Sequence, residues 1–217
     1  MGHAKPIIGL CGGIGAGKSA VAREFERLGA LVVDSDRLNH EVLRRPDVAR
    51  TIRQWWGPDV LRADGTPDRQ RLADLVFDDA AQRRRLESLV HPLIIARHVD
   101  IINDGKKNSK VRAIVLDSPL LLESDLSRLC DVVVFVAASR RERLRRVRRA
   151  RGWGIEELRR RERWQLPLAE KRSRADYVIN NEGSTEQLRS QAKVLFERVL
   201  ADHSSRQHAD TPPPAAR

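Results

Sequence analysis

Gly12-Gly13-Ile14-Gly15-Ala16-Gly17-Lys18-Ser19 constrains this chain more than any other stretch, because its spacing satisfies G-x-x-x-x-G-K-[ST]. Residues 7–11 before it are apolar and rich in β-branched side chains, and residues 18–28 after it carry Val21, Phe25 and Leu28 at helical spacing. A strand that enters a glycine-rich loop and leaves as a helix is the context in which such a loop holds phosphate. Glycines let successive N–H groups turn inward toward phosphate oxygens, and the positive end of the following helix adds to the attraction. The loop is therefore read as a P-loop whose cofactor-binding residues are Gly12, Gly13, Ile14, Gly15, Ala16, Gly17, Lys18, Ser19 and Ala20. Lys18 is placed to bridge β- and γ-phosphates as a point charge, and the Ser19 hydroxyl to ligate Mg²⁺.

Further along, Gly29 stands where a helix ends in a left-handed residue, and residues 31–34 form a second short strand. Similar runs at 111–117, 132–136 and 177–179 alternate with long helical patterns. They predict an α/β fold of the P-loop NTPase type, a parallel five-stranded sheet flanked by helices on both faces. From 36 to 103 the apolar spacing is mostly helical, with breaks expected at Pro46, at the turn of residues 63–67 and at Pro92. Residues 139–174 are helical in pattern and dense in arginine. Residues 204–217, with Pro212, Pro213 and Pro214, read as a disordered tail. The expected organisation is one domain over 1–203, with its core at 5–36, 104–138 and 175–203, a helical insertion at 37–103 and a segment at 139–174 that closes over the nucleotide.

Composition excludes several classes. At 217 residues and 41% apolar content the chain can bury a core, yet no run approaches the roughly 20 apolar residues of a membrane span. Cys11 and Cys130 lack metal or disulfide spacing, and the N-terminus reads as a strand rather than a leader, so a soluble cytoplasmic protein without membrane contact is expected. A net charge of +11 favours anionic partners without separating nucleotide phosphates from nucleic acid. With no N-K-x-D segment and no L-S-G-G-Q signature, a small-molecule kinase is the leading class, and a nucleic-acid-binding protein is the alternative from a different class.

Asp34 and Asp36 end the second strand, where the ligand crevice of a doubly wound sheet lies. One of them can serve as a base toward an acceptor hydroxyl, and a helix cap at Ser35 or Asp36 fits the spacing equally well. Asp117 can hold Mg²⁺ through water or cap a loop, and Glu123 reads locally as an exposed turn residue. The arginines from Arg140 to Arg163 cover every helix face, so most face solvent while a few close over ATP. Trp55-Trp56 reads as a buried pair, and His91-Pro92 as a helix start with proline at its first position.

Taken in order, Gly12 to Ser19, Asp34-Ser-Asp36, Asp64-Gly-Thr66 with Asp68-Arg69, His91-Pro92, Asp117-Ser-Pro-Leu-Leu-Leu-Glu123, Gln165-Leu-Pro-Leu168 with Lys171, and residues 175–183 resemble the dephospho-CoA kinase family. The resemblance implies ATP-dependent phosphorylation of the ribose 3′-hydroxyl of dephospho-CoA, a CoA-binding role for the insertion and a lid role for the arginine-rich segment. It makes Lys18, Asp36, Arg146 and Arg161 the catalytic candidates. Asp34, Asp36, Arg69, His91, Asp117, Leu120 and Glu123 become acceptor contacts, Asn181 and Gly183 neighbours of adenine, and Ser19 and Asp117 the metal-holding pair. It further implies ATP and Mg²⁺ as cofactors, no nucleic-acid partner, and a monomer or weak homo-oligomer. Four positions depart from the family pattern: Ala20, Ser118, Leu122 and Ala150, the last of which stands at an expected lid arginine and leaves Arg149 or Arg151 to take its role.

Overall fold

The computed structural model describes residues 5–77 and 79–209. Five strands, β1 (Ile7–Gly12), β2 (Ala30–Asp34), β3 (Ala113–Asp117), β4 (Val132–Ala137) and β5 (Tyr177–Asn180), form one sheet in the order β2-β3-β1-β4-β5. β1 lies between β3 and β4 and runs parallel to both, with Leu10 beside Asp117 and Gly12 beside Val136; β5 continues the parallel pairing on β4. Parallel strands put their carboxyl ends on one edge of the sheet. The loop after β1 therefore leaves the middle of that edge, flanked by the ends of β3 and β4.

β1 shows why its sequence is a continuous apolar run rather than an alternation: every one of its residues is buried. Ile8 and Leu10 face α1 (Lys18–Arg27) and α9 (Thr185–Ala209), where Val21 and Phe25 meet Leu188, Ala192, Leu195, Phe196 and Val199, a spacing that lines one helix face. The Phe25 and Phe196 rings sit 5.3 Å apart, and each contributes roughly 1.5–3 kcal/mol by leaving water. On the opposite face Gly9 lets the segment after β3 approach, since a Cβ there would stand 2.5 Å from Leu121 Cδ2 and 2.7 Å from Cys130 Sγ.

The chain divides into two compact units, one of residues up to Val33 together with those from Ile102 onward, the other Asp34–Ile101. The first holds the sheet, α1, α9 and the helices α6 (Arg140–Arg151), α7 (Ile155–Glu162) and α8 (Leu168–Ser173). The second is helical: α2 (Ser35–Leu43), α3 (Pro46–Trp56), α4 (Arg69–Phe77) and the greater part of α5 (Ala80–Lys107). Its own core gathers Val42, Val48, Ile52, Val60, Leu72 and Val90. Asp68 accepts from the Gln70 and Arg71 amides and caps α4, and Asp79 does the same for α5 through Ala81 and Gln82.

Three expectations change. Pro92 does not start a helix but lies inside α5, which begins at the Asp79 cap; the neighbouring Val90 is buried and the partly buried Leu93 and Ile94 pack against the same core, contacts that oppose the roughly 3 kcal/mol that an interior proline costs. Trp55 and Trp56 are only half-buried: they meet edge to face at 5.4 Å, Trp56 Nε1 donates to Gln82 Oε1 at 2.8 Å, and Arg85 lies over Trp55. The stretch from residue 204 is helical as far as Ala209, because α9 continues through it; residues 210–217 lie outside the described residues. Among the described residues, no helix is long and apolar enough to cross a membrane.

Candidate active site

Gly12, Gly15 and Gly17 take φ values of +144°, +77° and +90°, the left-handed region that side chains disfavour. Close approach compounds the requirement, since a Cβ at Gly15 would lie 2.7 Å from the Arg143 carbonyl oxygen and one at Gly17 2.2 Å from Asn181 Nδ2. Gly17 is the N-cap of α1, which has no side-chain cap and no acidic residue in its first turn. With no side chain occupying the helix start, the helix dipole favours an anion there. Lys18 opens the helix and folds back over the loop, its Nζ 3.4 Å from the Gly12 carbonyl and 3.5 Å from that of Gly13. The Ser19 side is exposed.

α6 braces this loop from outside. Ser139 caps it by accepting from the Glu142 amide at 3.4 Å. Arg146 Nη1 donates to the Ala16 carbonyl at 2.9 Å and its Nη2 to the Asn181 carbonyl at 2.6 Å, while Glu142 pairs with its Nε at 3.0 Å. Asn181 Nδ2 donates to Ala16 as well, at 2.8 Å. Arg143 is buried, donates to the Ile14 carbonyl at 3.3 Å and forms an ion pair with Glu162 at the end of α7. The structure thus brings Arg146 and Asn181 to the loop. Arg161 lies elsewhere, on Glu157 at 2.7 Å and over the Trp153 ring at 4.2 Å, with Arg151 on the same ring at 4.6 Å. Arg149, Ala150, Gly183 and Leu120 are exposed.

Asp117 is buried at the end of β3 beside Leu10 of the loop-bearing strand. Glu123 is not the exposed turn residue that local spacing suggests: its Oε1 pairs with Lys171 Nζ at 2.8 Å and accepts from the Leu166 amide at 2.9 Å, and its Oε2 is buried with no partner. Lys171 is fully buried and also reaches Gln165 Oε1 at 3.1 Å. The pair fastens α8 to the segment after β3, and a pocket of about 180 Å³ lies between Gly13, Glu162 and residues 165–168. Burial pushes the Cys11 thiol up to about 11, and Lys171 and Lys18 oppose that shift.

In the helical unit, Asp34 accepts from the Arg37 amide at 3.0 Å and is the N-cap of α2, a role that the spacing alone fits to Ser35 or Asp36. Asp36 is thereby left exposed in the first turn of α2 without a cap bond. Ser35 is buried against His98, its Oγ 2.9 Å from Nε2, and His98 Nδ1 is 2.8 Å from the Ile94 carbonyl; burial lowers the His98 pKa. Arg69 opens α4 and His91 lies within α5, both exposed. Asp64 closes its turn by accepting from the Thr66 amide and hydroxyl.

Sequence reasoning missed Arg143 and Glu162, which it left undistinguished in the arginine-rich segment. Ser139 followed by Glu142 is a capping signal that fixes where α6 starts, and Arg143 then falls one turn before Arg146 on the same helix face.

Known proteins resemble this chain over most of its length. The family model for dephospho-CoA kinase matches residues 6–187. A dephospho-CoA kinase of Bacillus cereus is 38% identical over 196 residues, covering 88% of this chain and 96% of that protein, and one of Corynebacterium diphtheriae is 40% identical over 194 residues, covering 88% and 96%. Among solved structures, a Thermus thermophilus protein superposes with a TM-score of 0.78 at 34% identity, covering 92% of this chain and 98% of that one. At 22% identity, the dephospho-CoA kinase from Campylobacter jejuni shares the fold, with a TM-score of 0.62 over 90% of this chain and 97% of its own. With the family model matched over most of the chain and relatives of this identity covered nearly end to end, the chain belongs to the dephospho-CoA kinase family.

Proposed function

We propose that this protein transfers the γ-phosphoryl group of ATP to the ribose 3′-hydroxyl of dephospho-CoA, giving CoA and ADP. The observation that carries the reading is the cradle at residues 12–19: three left-handed glycines, a helix start without a side-chain cap and Lys18 lie together at the end of the central strand of the sheet. Phosphoryl transfer needs little covalent chemistry from a protein beyond positioning and charge stabilisation, and such a cradle supplies both.

Lys18 is read as the cation that follows the γ-phosphate through transfer. Arg146 acts through the loop, because its donors are engaged by the Ala16 and Asn181 carbonyls and so hold the amides in place. Arg161, held by Glu157 and Trp153, is the lid arginine that must change partners to meet a phosphate. On the acceptor side the family resemblance supports Asp36 as general base, with Asp34, Arg69, His91, Asp117 and Leu120 as contacts. Glu123 offers only its Oε2 to a ligand, since Oε1 is engaged.

Ser19 and Asp117 are the residues that would hold Mg²⁺. A hydroxyl and a carboxylate are hard oxygen donors, and among the described residues no group of three His, Cys, Asp or Glu builds a protein-only cage. That donor set suits an ion that keeps waters and binds phosphate oxygens. When bound, it would neutralise charge on the β- and γ-phosphates.

The test is ADP release with purified protein, dephospho-CoA as acceptor and adenosine as control. Turnover of roughly 1 to 100 per second with dephospho-CoA alone is expected. Phosphorylation of another acceptor, with dephospho-CoA ignored, would overturn the reading.

A further inference from the structure

Arg143 and Glu162 are drawn together at the loop, and the roles above use neither. The Arg143 side chain is 5% exposed and its Nε is buried without a partner. Its Nη1 touches the loop at Gly13, where an added Cβ would stand 2.9 Å away, and donates to the Ile14 carbonyl. A buried guanidinium needs a compensating anion, and the one paired with it is the Glu162 carboxylate. The other nearby acid of this helix, Glu142, is taken up by Arg145 and Arg146.

Glu162 also lines the 180 Å³ pocket that opens at Gly13, and Lys18 Nζ lies 3.5 Å from the Gly13 carbonyl. Two cations, Lys18 and Arg143, therefore converge on Gly13, and the Glu162 carboxylate sits on Arg143. A nucleotide triphosphate seated in the cradle brings a larger anion to the same place. Like charges sharing one desolvated cation oppose each other strongly, because the protein interior screens them less than water does.

We infer that Glu162 is an intramolecular competitor of the nucleotide phosphates for Arg143, so that this ion pair sets nucleotide affinity and links seating of the phosphates to release of the α7 end from the loop. The inference rests on the reading that the cradle takes the phosphates of ATP. A carboxylate acting only as a brace predicts the opposite sign on its removal, since a loosened brace weakens the site.

Isothermal titration of ADP and of ATP into the full chain separates the two. Glu162→Gln, which keeps shape and removes charge, is expected to tighten ADP binding about tenfold and ATP binding at least as much. Glu162→Ala should move affinity in the same direction, so that no single variant's folding decides the matter. Arg143→Gln should weaken binding, and adding Glu162→Gln to it should give much less than the gain seen in the single variant. Unchanged or weaker nucleotide binding in both Glu162 variants would overturn the proposal while leaving the kinase reading intact. No nucleotide binding by the unaltered protein would overturn both.

Discussion

Lys18 stands at the first position of α1, where its charge adds to the helix dipole without being needed by the core. Lys18→Ala is therefore expected to lower kcat/KM by roughly 10²–10³, the scale of removing one preorganised charge contact, with the melting temperature unchanged. Gly15 carries the opposite burden: at φ +77°, with Arg143's carbonyl where a Cβ would go, Gly15→Ala should distort the cradle and abolish ATP binding measured by calorimetry. The two thiols give a pH prediction. Burial raises Cys11 to about 11 and Cys130 to about 12, above the ordinary 9.0, so the unfolded chain loses these protons first. Their contribution is fully present below pH 9 and is lost as pH rises from 9 through about 11 for Cys11 and about 12 for Cys130. The melting temperature should fall over that window, and fall less in a Cys11→Ala/Cys130→Ala variant.

Between elements, charge is used as a fastener. Lys171 of α8 is fully buried on Glu123, and removing one partner of such a pair leaves the other uncompensated. Lys171→Met should cost about 3 kcal/mol in urea unfolding, more than any of the exposed arginine–glutamate pairs of α6 and α7. The start of α2 separates stability from chemistry. Asp34 caps the helix, so Asp34→Ala should cost about 1 kcal/mol of stability. Asp36 makes no cap bond, so Asp36→Asn should leave the melting curve in place while removing most turnover. Retained turnover in Asp36→Asn would move the base role to Asp34 or show that the loose transition state needs no strong base.

Across the whole molecule, what was legible in the sequence is what depends on short-range pattern. The strand–glycine loop–helix signal at residues 7–28 and the five apolar runs located the sheet and the cradle, because buried parallel strands and left-handed glycines leave local marks. What was not legible depends on partners far along the chain. Pro92 looked like a helix start because its cost is local, whereas the contacts of Val90, Leu93 and Ile94, which oppose it, are recognised only once the helical unit has packed. Glu123 looked exposed because Lys171 lies 48 residues later, and Arg143 was one arginine among many until Gly13 and Glu162 met it. The proposed role of the cradle at residues 12–19 is to hold a nucleotide whose terminal phosphate goes to dephospho-CoA. Coupled measurement of ADP release with dephospho-CoA in the unaltered protein and in Lys18→Ala tests it most directly. The account predicts acceptor-dependent ADP release that Lys18→Ala nearly eliminates; equal release without the acceptor, or full turnover in Lys18→Ala, would contradict it.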